Sequence, residues 1–146
     1  MKYSLVMISA ALLLGGCTAV EEKEVNLDDV AKQMIAQYYD ETTMMLADED
    51  QSAGLLMLDM SANTCVYYVS TNNDTNELAL CQGDGEAIQK AFEARRQYDA
   101  DSAKNYFPEQ VEKIENGIIK QLGDTWVLII ADDSEAVQNS LSETLN

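Results

Sequence analysis

No histidine occurs anywhere in this 146-residue chain, and that absence alone removes several chemistries. A Ser-His-Asp or Cys-His triad cannot be built without an imidazole base. Zinc sites draw four ligands mainly from thiolate and imidazole, and only three cysteines are present. Basic residues are scarce too: 9 Lys and Arg stand against 26 Asp and Glu, for a formal net charge of −17. Such a surface is repelled by phosphate backbones and anionic headgroups and attracts basic partners, so no nucleic-acid role is expected. Proline occurs once, and no internal repeat or low-complexity segment is evident. The longest uncharged apolar run, residues 4–14, falls short of the about 20 residues that span a bilayer.

What remains for catalysis is carboxylate. Three acidic clusters stand out, Asp48-Glu49-Asp50, Asp99 with Asp101, and Asp132-Asp133. Each lies near the end of an expected element, where acids commonly cap helices or stay solvated. Residues Asn72 to Asn76 imitate the start of a calcium loop. Position six is then Glu77 rather than glycine and position twelve is Gly83 rather than glutamate, so an EF-hand is excluded. No catalytic residue, cofactor or metal ligand is assigned, and the chain is not expected to be an enzyme.

The N-terminal segment carries the clearest motif. Lys2 supplies a positive n-region, residues 4–14 an apolar h-region, and Gly15 and Gly16 lead into Cys17, which is the layout of a secretory signal. Leu14-Gly15-Gly16-Cys17 resembles the lipobox of bacterial lipoprotein precursors. The resemblance covers only this export segment. It implies cleavage before Cys17, a diacylglyceryl thioether on that cysteine as the only covalent cofactor, and a membrane-anchored, periplasm-facing product. Thr18 in place of aspartate leans toward the outer membrane of a Gram-negative cell. Two or three acyl chains suffice as an anchor, since each buried methylene contributes about 0.8 kcal/mol. Residues Thr18 to Val25 form a short charged tether, about 26 Å when fully extended, that would hold the domain close to its membrane.

With Cys17 assigned to lipid, Cys65 and Cys81 remain as an even pair, and an oxidising compartment favours their pairing. Residues 64–70 read as a strand, 71–76 as a polar turn and 77–81 as the return strand. A hairpin centred on Asn73 sets Cys65 opposite Cys81 and Val66 opposite Leu80, within reach of a disulfide.

Residues 26–146 are enough for one domain. Asn26, with Asp28 and Asp29 behind it, reads as an N-cap. Leu27, Val30, Ala31, Met34, Ile35, Tyr38, Met45 and Leu46 follow at helical spacing. This stripe faces the core, or part of it, with Tyr38, Tyr39, Met44 and Met45, forms a partner surface. Residues 55–60 read as a strand ahead of the Cys65 strand. Asp84 caps a helix running through Ile88, Ala91, Phe92 and Tyr98, with Arg95 and Arg96 near its C-terminal end. Pro108 opens another helix carrying Val111, Ile114, Ile118 and Leu122, with Gly123 at its C-cap. Residues 125–131 are a continuous apolar strand, and Asp132 with Glu135 caps a last helix carrying Val137, Leu141 and Leu145. The order α-β-β-β-α-α-β-α predicts a small α+β domain, a mainly antiparallel four-stranded sheet with helices packed on one face.

Two functional classes follow. The first is a membrane-anchored envelope module that binds or assembles another envelope protein with a basic surface. The alternative is a divalent-cation or carbohydrate-binding lipoprotein, at most a weak carboxylate-dependent hydrolase.

Overall fold

A computed structural model describes residues 25–146. The lipobox, Cys17 and the tether up to residue 24 lie outside the described residues. Five antiparallel strands form one sheet: β1 (Met44–Leu46), β2 (Thr64–Ser70), β3 (Glu77–Gln82), β4 (Ile118–Leu122) and β5 (Thr125–Ile130), in the spatial order β1-β2-β3-β5-β4. Five α-helices accompany them among the described residues: α1 (Leu27–Tyr38), α2 (Glu49–Leu56), α3 (Gly85–Tyr106), α4 (Val111–Glu115) and α5 (Ser134–Leu145). The α+β class is as expected; the strand count, the element order and the layering are not.

Helices cover both faces of the sheet rather than one. Leu78 and Leu80 of β3 and Val127 and Ile129 of β5 point toward α1 and α5. Their alternates Ala79, Cys81, Leu128 and Ile130 point toward α2, α3 and α4. Side chains alternate between faces along a strand, so an unbroken apolar run is what a strand buried on both sides requires. The continuous apolar reading of residues 125–131 therefore carried the signal for two covering layers.

Two expected helices give way to strands at their ends. α1 stops at Tyr38, and residues 44–46 form the edge strand β1, with Met45 paired to Val69. Helical spacing continued by coincidence across a break at Asp40, whose side chain accepts from the Thr42 amide and hydroxyl in a local turn. After the 3₁₀ turn at Pro108–Gln110, α4 is short, and Ile118 and Leu122 lie in β4 instead of on a helix. Gly123 is not a C-cap. It takes φ +58° in the two-residue turn that joins β4 to β5, the glycine position of a tight hairpin.

Conversely, the expected strand over residues 55–60 is the end of α2 and the loop behind it. Here capping outweighs the apolar run. The Asp48 side chain accepts from the Gln51 amide while the Gln51 side chain accepts from the Asp48 amide, a reciprocal box that starts a helix. The other caps fall close to expectation: Asn26 accepts from the amides of Asp28 and Asp29, and Asp84 from that of Ala87. α5 is capped by Asp133 rather than Asp132, through the amide of Ala136.

The β2–β3 register sets Cys65 opposite Cys81 and Val66 opposite Leu80. The two cysteines form a disulfide, with Cα atoms 4.2 Å apart, and Cys81 is fully buried.

Candidate functional site

α3 runs well beyond Tyr98, to Tyr106, and this extra length turns Arg95 and Asp99 from helix-end residues into mid-helix ones. Ile88, Phe92, Arg95, Asp99 and Ala103 recur at helical spacing, so the charged pair lies on the face that packs against the sheet. Directly beneath it sits Glu77, at the start of β3 on the same side as Ala79 and Cys81. Glu77 is a charge at the end of a buried strand, with only 6% of its side chain exposed and 13% each for Arg95 and Asp99.

Arg95 serves Glu77 first. Its Nη2 donates to Glu77 Oε1 at 2.5 Å, and its Nε reaches both Glu77 oxygens at 3.2 Å. The Tyr67 hydroxyl, from the fully buried ring of β2, donates to Glu77 Oε2 at 2.6 Å. On the far side of the sheet the Tyr39 hydroxyl donates to the Glu77 carbonyl at 3.3 Å. Fork-like guanidinium contact and a phenol together satisfy this carboxylate as a charged acceptor. Burial, reinforced by the charge of Glu77, holds the Tyr67 phenol far above its usual range. Burial works against the Arg95 charge, but hydrogen bonding and attraction from Glu77 outweigh it and raise its pKa.

Asp99 is left over. Arg95 Nε lies 3.1 Å from Asp99 Oδ2, yet its single N–H is aimed at Glu77; Asp99 Oδ2 is buried and receives no donor, and the Asp99 carboxyl pairs with that of Glu77 when it is protonated. Burial first, then the facing charge of Glu77, overcome the pull of Arg95 and push the Asp99 carboxyl up to about 8. It therefore keeps a proton at neutral pH. Two carboxyls share one guanidinium, and the difference is made up by that proton.

These groups line a cavity of about 270 Å³, whose wall includes Leu55, Ser70, Asn76, Ser102, Tyr106 and Phe107. A second hollow of about 260 Å³ adjoins it between α2 and α3, lined by Gly54, Leu55, Leu56, Met57, Ala91 and Tyr98, with Arg95 between the two. Around the mouths stand large apolar side chains left in water: Met57 is 90% exposed, Tyr106 73% and Tyr98 66%. Met57 is also held at φ +50°, the left-handed C-cap of α2, a position that glycine fills most cheaply. The Arg95 guanidinium lies 5.9 Å from the centre of the Tyr98 ring, a cation–π contact.

The residues singled out from sequence fall elsewhere. Met44 is buried under α1, and Tyr38 and Tyr39 pack half-buried against the same core, whereas Met45 is exposed on β1. The four do not share one exposed surface. Asp48 is a cap and Asp101 pairs with Lys104 and Gln97 at the surface. Asp132 lies 3.3 Å from Lys113, which also donates to the Asp74 carbonyl and to Asn76 Oδ1. Asp132 and Asp133 line an open hollow of about 810 Å³ and Glu49 a smaller one, but of the acidic clusters only Asp99 is taken out of water, and its partner there is Glu77, not Asp101. Among the described residues no three His, Cys, Asp or Glu side chains converge to hold a metal ion. The signal for the site was present in the sequence: an Arg and an Asp on the apolar stripe of one helix, and a glutamate leading an apolar strand.

A family model described as "Domain of unknown function (DUF4358)" matches residues 37–131. That span takes in all five strands and the α2, α3 and α4 layer, with the whole cleft, and leaves out α5 and nearly all of α1. No curated protein and no solved structure matches the chain.

Proposed function

From the premise that the chain belongs to this domain-of-unknown-function family, we propose that it is a protein-binding module, held at the bacterial envelope by lipid on Cys17, whose partner docks in the cleft between α2 and α3. The observation that carries this reading is the concentration of exposed apolar side chains at one place. Among the described residues the large exposed hydrophobics are Val25, Met45, Leu46, Leu55, Met57, Tyr98 and Tyr106, and the last four ring the paired cavities. Aromatic and methionine side chains around a concave centre are the composition of a binding patch rather than of ordinary surface. The left-handed backbone that sets Met57 outward costs about 1 kcal/mol and gains no packing, a cost that contact with a partner offsets.

The net charge of −17 steers basic partners toward the domain. The lipobox-like segment and a tether of about 26 Å confine such a partner to the membrane's vicinity, as expected of an envelope protein.

The test is in-cell cross-linking of the tagged full chain beside Met57→Gly and Cys17→Ala. Met57→Gly removes the exposed side chain and relieves the backbone, so it should melt no lower than the parent. A discrete envelope protein captured by the parent and lost with Met57→Gly supports the cleft as the docking site. The same protein captured equally by both excludes it. Capture that disappears only with Cys17→Ala reports proximity to the membrane, and the binding reading then fails.

A further inference from the structure

The two edges of the sheet are finished differently. β4 turns Lys120 and Gln121 into water, and a lysine on an edge strand guards it against pairing with another chain. β1 has no charged residue within Met44–Leu46 and leaves Met45 44% and Leu46 47% exposed. Its backbone is open as well. The Ala47 amide donates to the Tyr67 carbonyl and the Thr71 amide to the Thr43 carbonyl, which fixes the phase of the β1–β2 ladder. Bonded and non-bonded pairs alternate in an antiparallel ladder. Met45 therefore faces Val69 in a bonded pair, and Met44 and Leu46 turn their N–H and C=O groups outward. The Met44 amide is taken by the Asp40 carbonyl. The outer side keeps the Met44 carbonyl and both backbone groups of Leu46.

This edge adjoins the cleft. Val69, opposite Met45, belongs to the wall of the cavity of about 270 Å³, and Met45 shares the sheet face of Ala47 and Tyr67. Leu46 lies on the other face, opposite Tyr68. Acids stand at both ends of the strand: Asp40 and Glu41 before it, and Asp48, Glu49 and Asp50 after it, all exposed. None of them forms an ion pair among the described residues. No Lys or Arg occurs in the sequence between Lys32 and Lys90, and Lys32 is paired with Asp28.

We propose that the partner adds a strand to β1: an extended segment, apolar at its centre and with Lys or Arg toward its ends, pairs antiparallel along the outer side of β1. The proposal rests on the binding-module reading and specifies what the partner presents beside the cleft. Main-chain hydrogen bonds supply the attachment and alternate side chains the selectivity. The partner residue opposite Leu46 exchanges both backbone bonds with it, and the Met44 carbonyl accepts another. The side chains on either side of that residue fall on the face of Met45 and prolong the cavity wall. The basic ends then meet the acids that flank β1. A second copy of this chain fits poorly, since it would set the same acids against each other.

The experiment titrates the full chain in zwitterionic detergent with the capped peptide Lys-Lys-Val-Ile-Val-Lys-Lys, and in parallel with Glu-Glu-Val-Ile-Val-Glu-Glu, following amide exchange at Leu46. Before peptide is added, the Leu46 amide should exchange as open backbone while that of Ala47 is protected. The lysine peptide should slow exchange at Leu46 saturably, by at least about tenfold, and the glutamate peptide should not. Leu46→Pro removes the outward N–H without touching the β1–β2 ladder, a placement that edge strands tolerate, and should lose the peptide. Leu46→Val keeps the amide and should bind as the parent does. Four results overturn the proposal: no protection of Leu46 at millimolar lysine peptide, equal protection by both peptides, unchanged binding in Leu46→Pro, or protection that rises with protein concentration alone. The third would place the peptide elsewhere on the acidic surface, and the last would give the edge to a second copy. In cells, a partner kept by Leu46→Pro and lost with Met57→Gly removes strand addition and leaves docking in the cleft intact. Peptide addition as expected, with capture unchanged in Met57→Gly, removes the docking reading and leaves the β1 edge as the site.

Discussion

The two faces of the sheet are built to different ends. Toward α1 and α5 the core is mostly Leu, Val, Ile and Met, closed over by two amphipathic helices. Toward α2 and α3 large side chains such as Tyr67, Phe92, Ile114 and Leu128 are interspersed with alanines at positions 47, 79, 91, 100 and 103, and beside them lie an ion cluster and two hollows. Apolar burial on the first face contributes about 25 cal/mol per Å² without specificity. On the second face, charges taken out of water return little net stability, because desolvation offsets their attraction. A face that sets charges and hollows among its packing residues, and leaves Met57, Tyr98 and Tyr106 in water, is arranged for something other than stability.

The sharpest way to break this contrast is Arg95→Met. Removing the guanidinium strands Glu77 as a buried, unpaired charge, and unfolding in urea should show a loss of about 3–5 kcal/mol. Adding Glu77→Gln should recover most of it. A double variant no better than the single would mean that the cluster is a net source of stability, and the contrast between the faces would vanish. Next in size, replacing Cys65 and Cys81 together by alanine opens a loop with a sequence separation of 16 and should cost about 3 kcal/mol. A reductant should lower the melting temperature of the parent and leave that of the double variant unchanged.

Asp99→Asn is expected to work the other way. The folded pKa of about 8 lies above the ordinary carboxyl value of 3.8, so the folded chain holds a proton that the unfolded chain has released. The parent accordingly loses stability as pH rises from about 4 to about 8, and the asparagine variant does not. Equal stability at pH 3 should give way to an advantage for Asp99→Asn that grows steadily with pH and is clear at pH 8. A flat difference across that range would place Asp99 in water. The smallest effect belongs to the open surface. Lys90 pairs with Glu86 one turn away, both well exposed, and Lys90→Ala should leave the melting temperature unchanged within error.

Much of the frame was legible because it rests on local chemistry. The caps at Asn26 and Asp84, Pro108 at the head of its turn, and the Cys65–Cys81 register each follow from a few neighbouring residues. β1 was not legible, since three residues cannot establish a period and Met45 and Leu46 happen to continue the helical phase of α1. The apolar run from Leu55 to Met60 read as a strand because the box between Asp48 and Gln51, which starts the helix, lies upstream of it. The site was half visible. Asp99 was singled out, but with Asp101, its neighbour in sequence, whereas Glu77 reaches it only when β3 pairs with β2 and β5 and α3 lies across them. That pairing is long-range, and only the placement of Arg95 and Asp99 on the apolar stripe of α3 announced it.

The most direct measurement places a photo-cross-linking amino acid at one position of the full chain in living cells, at Tyr98 on the cleft and at Gln138 on α5. A discrete adduct formed from position 98, absent from position 138 and suppressed by Met57→Gly, is the predicted result. The same adducts from both positions would contradict a docking site in the cleft, as would none from position 98.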